Sequence, residues 1–326
     1  MNLCITNVCN RRCEYCFQKN WFLANSKEEI QEMSLDTVND ILNWFQGEHF
    51  KLLGGEPLLY SKIIELLDMI KDKEKTITMI SNISINPEKF KNIINNYCVN
   101  TPITSWLINT DYPKHQEDIF ISNFKELLKT KNDITLSTTL LPNKEKISES
   151  YNRLKKLCEY GNRRIFGIRI SPSEPNYKDA FSNYNFTLEV YDMFLKLKRR
   201  YPYIKMNFDC PVNACEIDYK VFEEKRINLS FSKERCGDGN IPFDILPDKT
   251  GLWCFSSNFL KVDNVLDYID EEDCIKELQR QYNNYWINNK LMCNYEKCGK
   301  YGNCKGLCPA KNESLKIHKL NSKGSE

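Results

Sequence analysis

Cys9-Asn10-Arg11-Arg12-Cys13-Glu14-Tyr15-Cys16 is the stretch on which the reading of this chain turns. Its spacing, C-x3-C-x2-C, offers three thiolates from one short loop. A cubane iron–sulfur cluster has four irons, and cysteines normally fill every position when the task is electron transfer. Three ligands leave one iron open, which points to a substrate or cofactor bound there. Zinc is the competing reading. Zinc sites, however, usually bring two C-x2-C-like pairs together into a closed tetrahedron. Here the next pair, Cys210 and Cys215, lies far along the chain.

Working outward, the loop directly follows a strand-like run. Short segments rich in β-branched residues occur at 2–7, 50–53, 76–81, 103–109, 134–140 and 165–170. Apolar residues recur at helical spacing between them: Leu35, Val38, Leu42 and Phe45 behind an N-capping Ser34, then Ile63, Leu66, Leu67 and Ile70. Ile147, Tyr151, Leu154 and Cys158, then Val190, Phe194, Leu197 and Tyr201, continue the pattern. Six β-α units in series predict a parallel sheet with helices outside, as a barrel or as an open doubly wound sheet. In both architectures function collects at the C-terminal ends of the strands, where the cysteine loop would sit.

Composition narrows the function classes. Lys+Arg 46 against Asp+Glu 44 in 326 residues gives no field that would select nucleic acid. The N-terminus lacks a basic segment followed by a long apolar one, and no run approaches the length of a membrane span. A soluble, cytoplasmic protein is expected. In that setting fifteen cysteines, an odd count clustered toward the two ends, indicate metal rather than disulfides. Three histidines (His49, His115 and His318) leave little room for catalysis built on several imidazoles. His115 is expected to cap or line a loop. Cys4, Cys98, Cys158 and Cys274 stand alone and read as buried apolar residues.

The texture changes near residue 205. Cys210, Cys215, Cys236, Cys254, Cys274, Cys293, Cys298, Cys304 and Cys308 crowd the remainder. Segments 241–246 and 252–255 flank the turn Pro247-Asp248-Lys249-Thr250-Gly251 and read as a hairpin. A helix is expected near 271–286. The expected division is 1–205, 206–310 and a polar, frayed tail at 311–326.

The run C-x3-C-x-aromatic-C resembles the signature of the radical S-adenosylmethionine (radical SAM) superfamily. The resemblance implies a partial (β/α)6 TIM-like barrel in which Cys9, Cys13 and Cys16 hold a 4Fe–4S cluster. The methionine end of S-adenosylmethionine would chelate the open iron, Tyr15 would lie beside the adenine, and reductive cleavage would give a 5′-deoxyadenosyl radical. Leu53-Gly54-Gly55-Glu56-Pro57, after the second strand, is similar to the family's GGEP element, which contacts the cofactor's amino group. From the residues alone, paired glycines let the backbone approach a ligand closely, and Pro57 stiffens the exit. Ser81, Asn82 and Thr139, at strand ends three and five, fall where the family places further cofactor contacts. Asn109-Thr110-Asp111 ends strand four.

The distal cysteines resemble the SPASM (Twitch-like) extension, which carries auxiliary iron–sulfur clusters. By that resemblance Cys236, Cys254 and Cys308 share one cluster, and Cys293, Cys298 and Cys304 the other. The x5 and x3 spacings match. The x4 is wider than the usual x2, Gly251 sits closer to Cys254 than usual, and the usual final cysteine is absent. Cys210 and Cys215 would supply further ligands, or an iron stays open for substrate. One structural zinc ribbon is the alternative reading.

SPASM-bearing members mostly modify peptides or proteins, so oxidative maturation of a ribosomal peptide is the leading expectation. Formylglycine formation is disfavoured because Phe255 stands where those members carry an aspartate base. Only eight residues precede Cys9, so leader recognition, if needed, is expected from a separate leader-binding protein or from the barrel face; a reductant such as flavodoxin or ferredoxin is a further expected partner. The alternatives are a radical dehydrogenase or carbon-bond-forming enzyme acting on a small molecule, and a non-catalytic iron–sulfur or zinc module.

Overall fold

The computed structural model describes residues 1–16, 31–98, 102–141, 143–172, 184–208, 243–289 and 309. Strands β1 (Asn2–Cys4), β2 (His49–Leu53), β3 (Thr76–Ser81), β4 (Ile103–Asn109), β5 (Asp133–Leu140), β6 (Ile165–Pro172) and β7 (Lys205–Phe208) lie side by side in chain order. Each pairs with the next in parallel. Helices α1 (Leu35–Trp44), α2 (Ile63–Asp72), α3 (Pro87–Tyr97), α4 (Glu117–Leu127), α5 (Lys144–Gly161) and α6 (Tyr184–Arg200) alternate with the strands. A doubly wound sheet needs a reversal of strand order, and this sheet has none from β1 to β7. Right-handed crossovers in unbroken order put every helix on one face, which curls the sheet into a partial barrel of the TIM type.

The sheet continues past β1. β8 (Asp244–Ile245) pairs with it in parallel, and β9 (Gly251–Leu252) and β10 (Lys261–Val262) follow antiparallel. The expected hairpin is thus β8–β9, and it prolongs the barrel sheet; residues 241 and 242 lie outside the described set. β7, paired with β6, runs across the expected division at 205. Helix α7 (Glu271–Asn288) starts on Asp270, whose side chain accepts the amide of Asp273.

Strand alternation separates two faces. Phe50 and Leu52 of β2, Ile77 and Met79 of β3, Ile134 and Leu136 of β5, and Ile168 and Ile170 of β6 join the core under the helices. Val38, Ile41 and Leu42 of α1 and Ile63, Leu66, Leu67 and Ile70 of α2 meet them there. Each such side chain contributes about 1.5–3 kcal/mol by leaving water. Cys4, Cys98, Cys158 and Cys274 are all buried, as expected of isolated apolar cysteines. The alternate residues, among them Lys51, Thr78, Ser105, Thr135, Ser137 and Arg169, face the barrel interior and are incompletely buried.

Helices α3 and α4 carry no mark in the four apolar patterns read from the sequence. Asn86 caps α3 by accepting the amides of Glu88 and Lys89, with Pro87 in the first turn, but asparagines at 92, 95 and 96 dilute its apolar stripe. From α4, the fully buried Asn123 donates to the carbonyls of Ile83 (2.7 Å) and Ile85 (2.9 Å). That amide pins the turn after β3, where Ile83 holds a positive φ of 48°. Replacing Asn123 with Ala leaves two buried carbonyls without donors and should cost about 2–3 kcal/mol in urea unfolding. An unchanged midpoint and slope would show that the amide does not fix this turn.

Candidate active site

The cysteine loop is carried by a departure from β-structure. A strand over 2–7 is expected, yet β1 ends at Cys4. Thr6 forms an isolated antiparallel bridge with Glu32, and the amide of Asn7 donates to Gln31 O at 3.0 Å. Leaving the ladder early swings the chain over the end of β2. There the amides of Gly55 and Glu56 donate to the carbonyls of Thr6 and Val8, both at 2.7 Å. A Cβ on Gly54 would stand 2.6 Å from Thr6 O, and one on Gly55 2.3 Å from Val8 O. The paired glycines therefore serve a close approach to the protein's own backbone, the segment leading into Cys9.

Glu56 is buried, and its carboxylate is occupied by protein donors. It accepts from Leu58 N (3.1 Å), Ser81 Oγ (2.7 Å) and Asn82 N (2.7 Å). Burial raises its pKa, while these donors and Arg11 pull it back down. Pro57 opens the short 3-10 turn Pro57–Leu59 that Glu56 caps. Asn82 donates to Asn10 Oδ1 at 2.9 Å and accepts from Ser84 N at 2.8 Å. Glu56, Ser81 and Asn82 thus form a tie between the ends of β2 and β3 and the cysteine loop.

Arg11 is the residue that sequence reasoning missed. It is buried, whereas its neighbour Arg12 is exposed. Its guanidinium donates to Asn82 O (2.9 Å) and Ser84 Oγ (2.7 Å) beyond β3, to Asn109 O and Oδ1 (both 3.3 Å) at the end of β4, and to Gln116 Oε1 (3.2 Å). Burial lowers its pKa, and the negative charges of Glu56 and Asp111 act against that. Nothing in the pair Arg11-Arg12 distinguishes the two chemically; only their places in the fold do.

A second tie holds the loop's far end. Tyr15 donates its hydroxyl to Asp111 Oδ2 at 2.8 Å, and Asp111 also accepts from Thr138 Oγ1 (2.7 Å) and Thr139 N (2.9 Å) on β5. Arg153 of α5 lies 3.7 Å from Asp111 and stacks over Tyr112. Burial raises the Asp111 pKa, opposed by these hydrogen bonds and by Arg153; burial likewise raises that of Tyr15. Arg11, Cys13, Tyr15, Asp111, Thr139 and Arg153 share the wall of a cleft of about 750 Å3. His115 is exposed on the turn Lys114–Gln116.

Cys9, Cys13 and Cys16 are half-buried along one loop, and Cys9 Sγ accepts the amide of Arg11 at 3.4 Å. Burial pushes the Cys9 thiol up to about 11 and raises that of Cys13. Among the described residues no three His, Cys, Asp or Glu side chains converge on a single metal ion. The donor set, three thiols with an amide hydrogen bond to sulfur and a buried cation beside them, suits a cluster of net negative charge. Cys254, next to β9, is half-buried against the core. Cys210, Cys215, Cys236, Cys293, Cys298, Cys304 and Cys308 lie outside the described residues.

Two substitutions test this construction without touching a cysteine. Arg11→Met removes the guanidinium from five acceptors and should weaken the closed loop by on the order of 3 kcal/mol. Iron content after anaerobic reconstitution should fall, while Arg12→Met should match the wild type. Gly55→Ala should lower iron content for a different reason, its clash with Val8 O. Equal iron in Arg11→Met and Arg12→Met would rule out the brace.

Comparison with known proteins agrees with this geometry. The family model of the radical SAM superfamily matches residues 3–154. The 7-carboxy-7-deazaguanine synthase of Clostridium acetobutylicum is 33% identical over 173 residues, covering 50% of this chain and 72% of that protein. The GTP 3′,8-cyclase of Alkaliphilus oremlandii is 31% identical over 87 residues, and the match spans 25% of this chain and only 27% of the cyclase. Among solved structures, Streptococcus suis SuiB bound to precursor peptide SuiA superposes with a TM-score of 0.62 at 15% identity, covering 95% of this chain and 71% of SuiB. anSMEcpe with bound AdoMet gives a TM-score of 0.62 at 16% identity, covering 95% of this chain and 89% of that one. These likenesses extend the shared fold over nearly the whole chain. From the cysteine loop, the strand order and the synthase relative together, the chain belongs to the radical SAM superfamily.

Proposed function

We propose that this chain cleaves S-adenosylmethionine reductively and uses the resulting radical in the oxidative maturation of a ribosomally made peptide. The observation that carries the proposal is the loop of Cys9, Cys13 and Cys16, held over the strand ends by Arg11. Cys9, Cys13 and Cys16 would hold a 4Fe–4S cluster, which would supply the electron for reductive cleavage of S-adenosylmethionine and so the radical chemistry that removes hydrogen from the substrate. The chain's own groups orient the participants. Arg11 and Glu56 fix the cysteine loop against β3, and Tyr15, locked by Asp111, stands at the cleft with Thr139. The backbone at Gly54, Gly55 and Pro57, with Ser81 and Asn82, forms the rim on which the amino-acid end of the cofactor would rest.

Removing a hydrogen atom leaves a substrate radical, and an oxidative product requires one more electron to leave. Cys236, Cys254, Cys293, Cys298, Cys304 and Cys308, with Cys210 and Cys215, are the proposed holders of auxiliary iron–sulfur clusters that accept it. The peptide reading draws support from the likeness in fold to SuiB, whose structure holds a precursor peptide. A small-molecule substrate is the second reading, favoured by sequence relatives named for GTP and for 7-carboxy-7-deazaguanine. No helix among the described residues is long and apolar enough to cross a membrane. The expected partners are a reductant of the flavodoxin or ferredoxin kind and a leader-binding protein.

Cys13→Ala should abolish 5′-deoxyadenosine formation under reduction; cleavage that survives it would overturn the proposal. Cys304→Ala should spare that cleavage and abolish the oxidised product. Equal loss of both activities would remove the auxiliary role.

A further inference from the structure

Three segments that lead into neighbouring strands gather an excess of positive charge at one end of the barrel. They are 126–133 at the start of β5, 159–166 at the start of β6 and 198–205 at the start of β7. Together they hold eight Lys and Arg against three Asp and Glu, net +5, whereas the whole chain carries only +2. The fold brings them side by side. Arg164 donates to the carbonyls of Thr130 and Asn132, which joins the first segment to the second. The Tyr203 hydroxyl donates to Asn162 O at 3.2 Å, and Arg200 meets Glu159 at 2.8 Å, which joins the second to the third.

Two of the three carboxylates are neutralised within the patch, Glu126 by Lys129 at 2.6 Å and Glu159 by Arg200. Lys131, Arg163 and Arg199 are exposed and make no hydrogen bond or ion pair among the described residues. Cations in the last turn of a helix ordinarily answer its dipole, and that accounts for Lys198, Arg199 and Arg200 of α6. The dipole fades beyond the last turn. Lys131 lies past the end of α4, Arg163 and Arg164 past the end of α5, and Lys205 on β7. Exposed rings stand among these charges: Tyr160 (44%), Phe166 (42%) and Tyr203 (48%) are three of the seven large hydrophobic side chains exposed among the described residues. A merely solvated face has no need of them, whereas interfaces concentrate Arg, Tyr and Phe.

We propose that this patch docks an acidic polypeptide segment that also carries apolar residues. An acidic leader of the peptide substrate is the occupant it fits, and to that extent the inference rests on the peptide reading above. The patch lies at the N-terminal ends of the strands and the cysteine loop at their C-terminal ends. The eight residues of β6 span about 25 Å, a distance that an extended chain covers in about eight residues. That separation sets the patch apart from an electron donor, which has to approach the cysteines. The rings favour a polypeptide over nucleic acid. Lys205 Nζ stands 4.3 Å from the centre of the Phe166 ring and Lys125 Nζ 5.1 Å from that of Tyr160, so ring faces that would stack on bases are already occupied. Asp133, which no cation neutralises among the described residues, would also meet a phosphate backbone with like charge.

The test is fluorescence anisotropy of the reconstituted protein with a labelled peptide of about twelve residues that alternates glutamate with leucine and phenylalanine. The wild type should bind it with a micromolar Kd that rises steeply as salt is raised to about 0.5 M. The triple variant Lys131→Gln, Arg163→Gln, Arg199→Gln should raise that Kd by about tenfold or more, and Phe166→Ser should raise it severalfold. A second triple variant removes the same charge from exposed lysines on the far helices, Lys62→Gln, Lys71→Gln, Lys91→Gln, and should leave the Kd unchanged. Melting temperature and 5′-deoxyadenosine formation should match the wild type in both triple variants. No binding by the wild type, equal binding by the patch variant, or equal loss in the second triple variant would overturn the proposal. Single-stranded RNA of similar length, or phosphatidylserine vesicles, bound as tightly as the peptide would overturn the polypeptide assignment. Peptide binding by a wild type that forms no 5′-deoxyadenosine would strike the reaction and not this surface.

Discussion

A guanidinium removed from water must find acceptors for its five N–H groups, and the fold around the cysteine loop is arranged by that requirement. Arg11 meets it with carbonyls and side chains from the ends of β3 and β4 and from the turn before α4. The acceptors come from two neighbouring βα connections, the one after β3 and the one after β4, so a single side chain fixes the loop relative to two strand ends at once. The carboxylates of Glu56 and Asp111, the first buried and the second largely so, act on it electrostatically and keep the cation from being an isolated buried charge. Both carboxylates are in turn satisfied by donors on the neighbouring strand ends, Ser81 and Asn82 for one, Thr138 and Thr139 for the other.

The two faces of the sheet divide the labour between stability and chemistry. Helices press on the face bearing Phe50, Leu52, Ile168 and Ile170, and that side supplies the core. The opposite face is left hydroxyl-rich and charged, at a cost in burial that a purely structural barrel would not carry. Adding β8 to the free edge of β1 extends this face by a buried aspartate, so the chain beyond residue 205 contributes to the same interior as the strands before it.

Much of the fold was legible in the sequence because the βα alternation has two distinct periods. The strand at 76–81 and the helical faces led by Leu35 and Ile63 appear where the patterns place them. β1 was overread because Thr6 and Asn7 look like strand residues, and only their partners, Glu32 and Gln31, take them off the ladder. Helix α3 was missed because asparagine is a weak helix former whose pattern hides the four residues it buries. At the site, the cysteine spacing and the glycine pair were visible. The work done by the glycines was not, since a close approach to Thr6 and Val8 depends on a partner 48 residues or so away, on the order of a full βα unit. Arg11 was invisible for a similar reason: burial is a property of the folded chain, and an identical residue stands beside it.

The central claim is that the braced cysteine loop presents a cluster with one iron open to the cofactor. Electron paramagnetic resonance of the reduced, reconstituted protein tests it most directly, recorded before and after S-adenosylmethionine is added. A shift of the g-values on addition is the expected result, because ligation of the open iron changes the cluster's electronic symmetry. A spectrum unchanged by the cofactor would contradict an open iron at Cys9, Cys13 and Cys16.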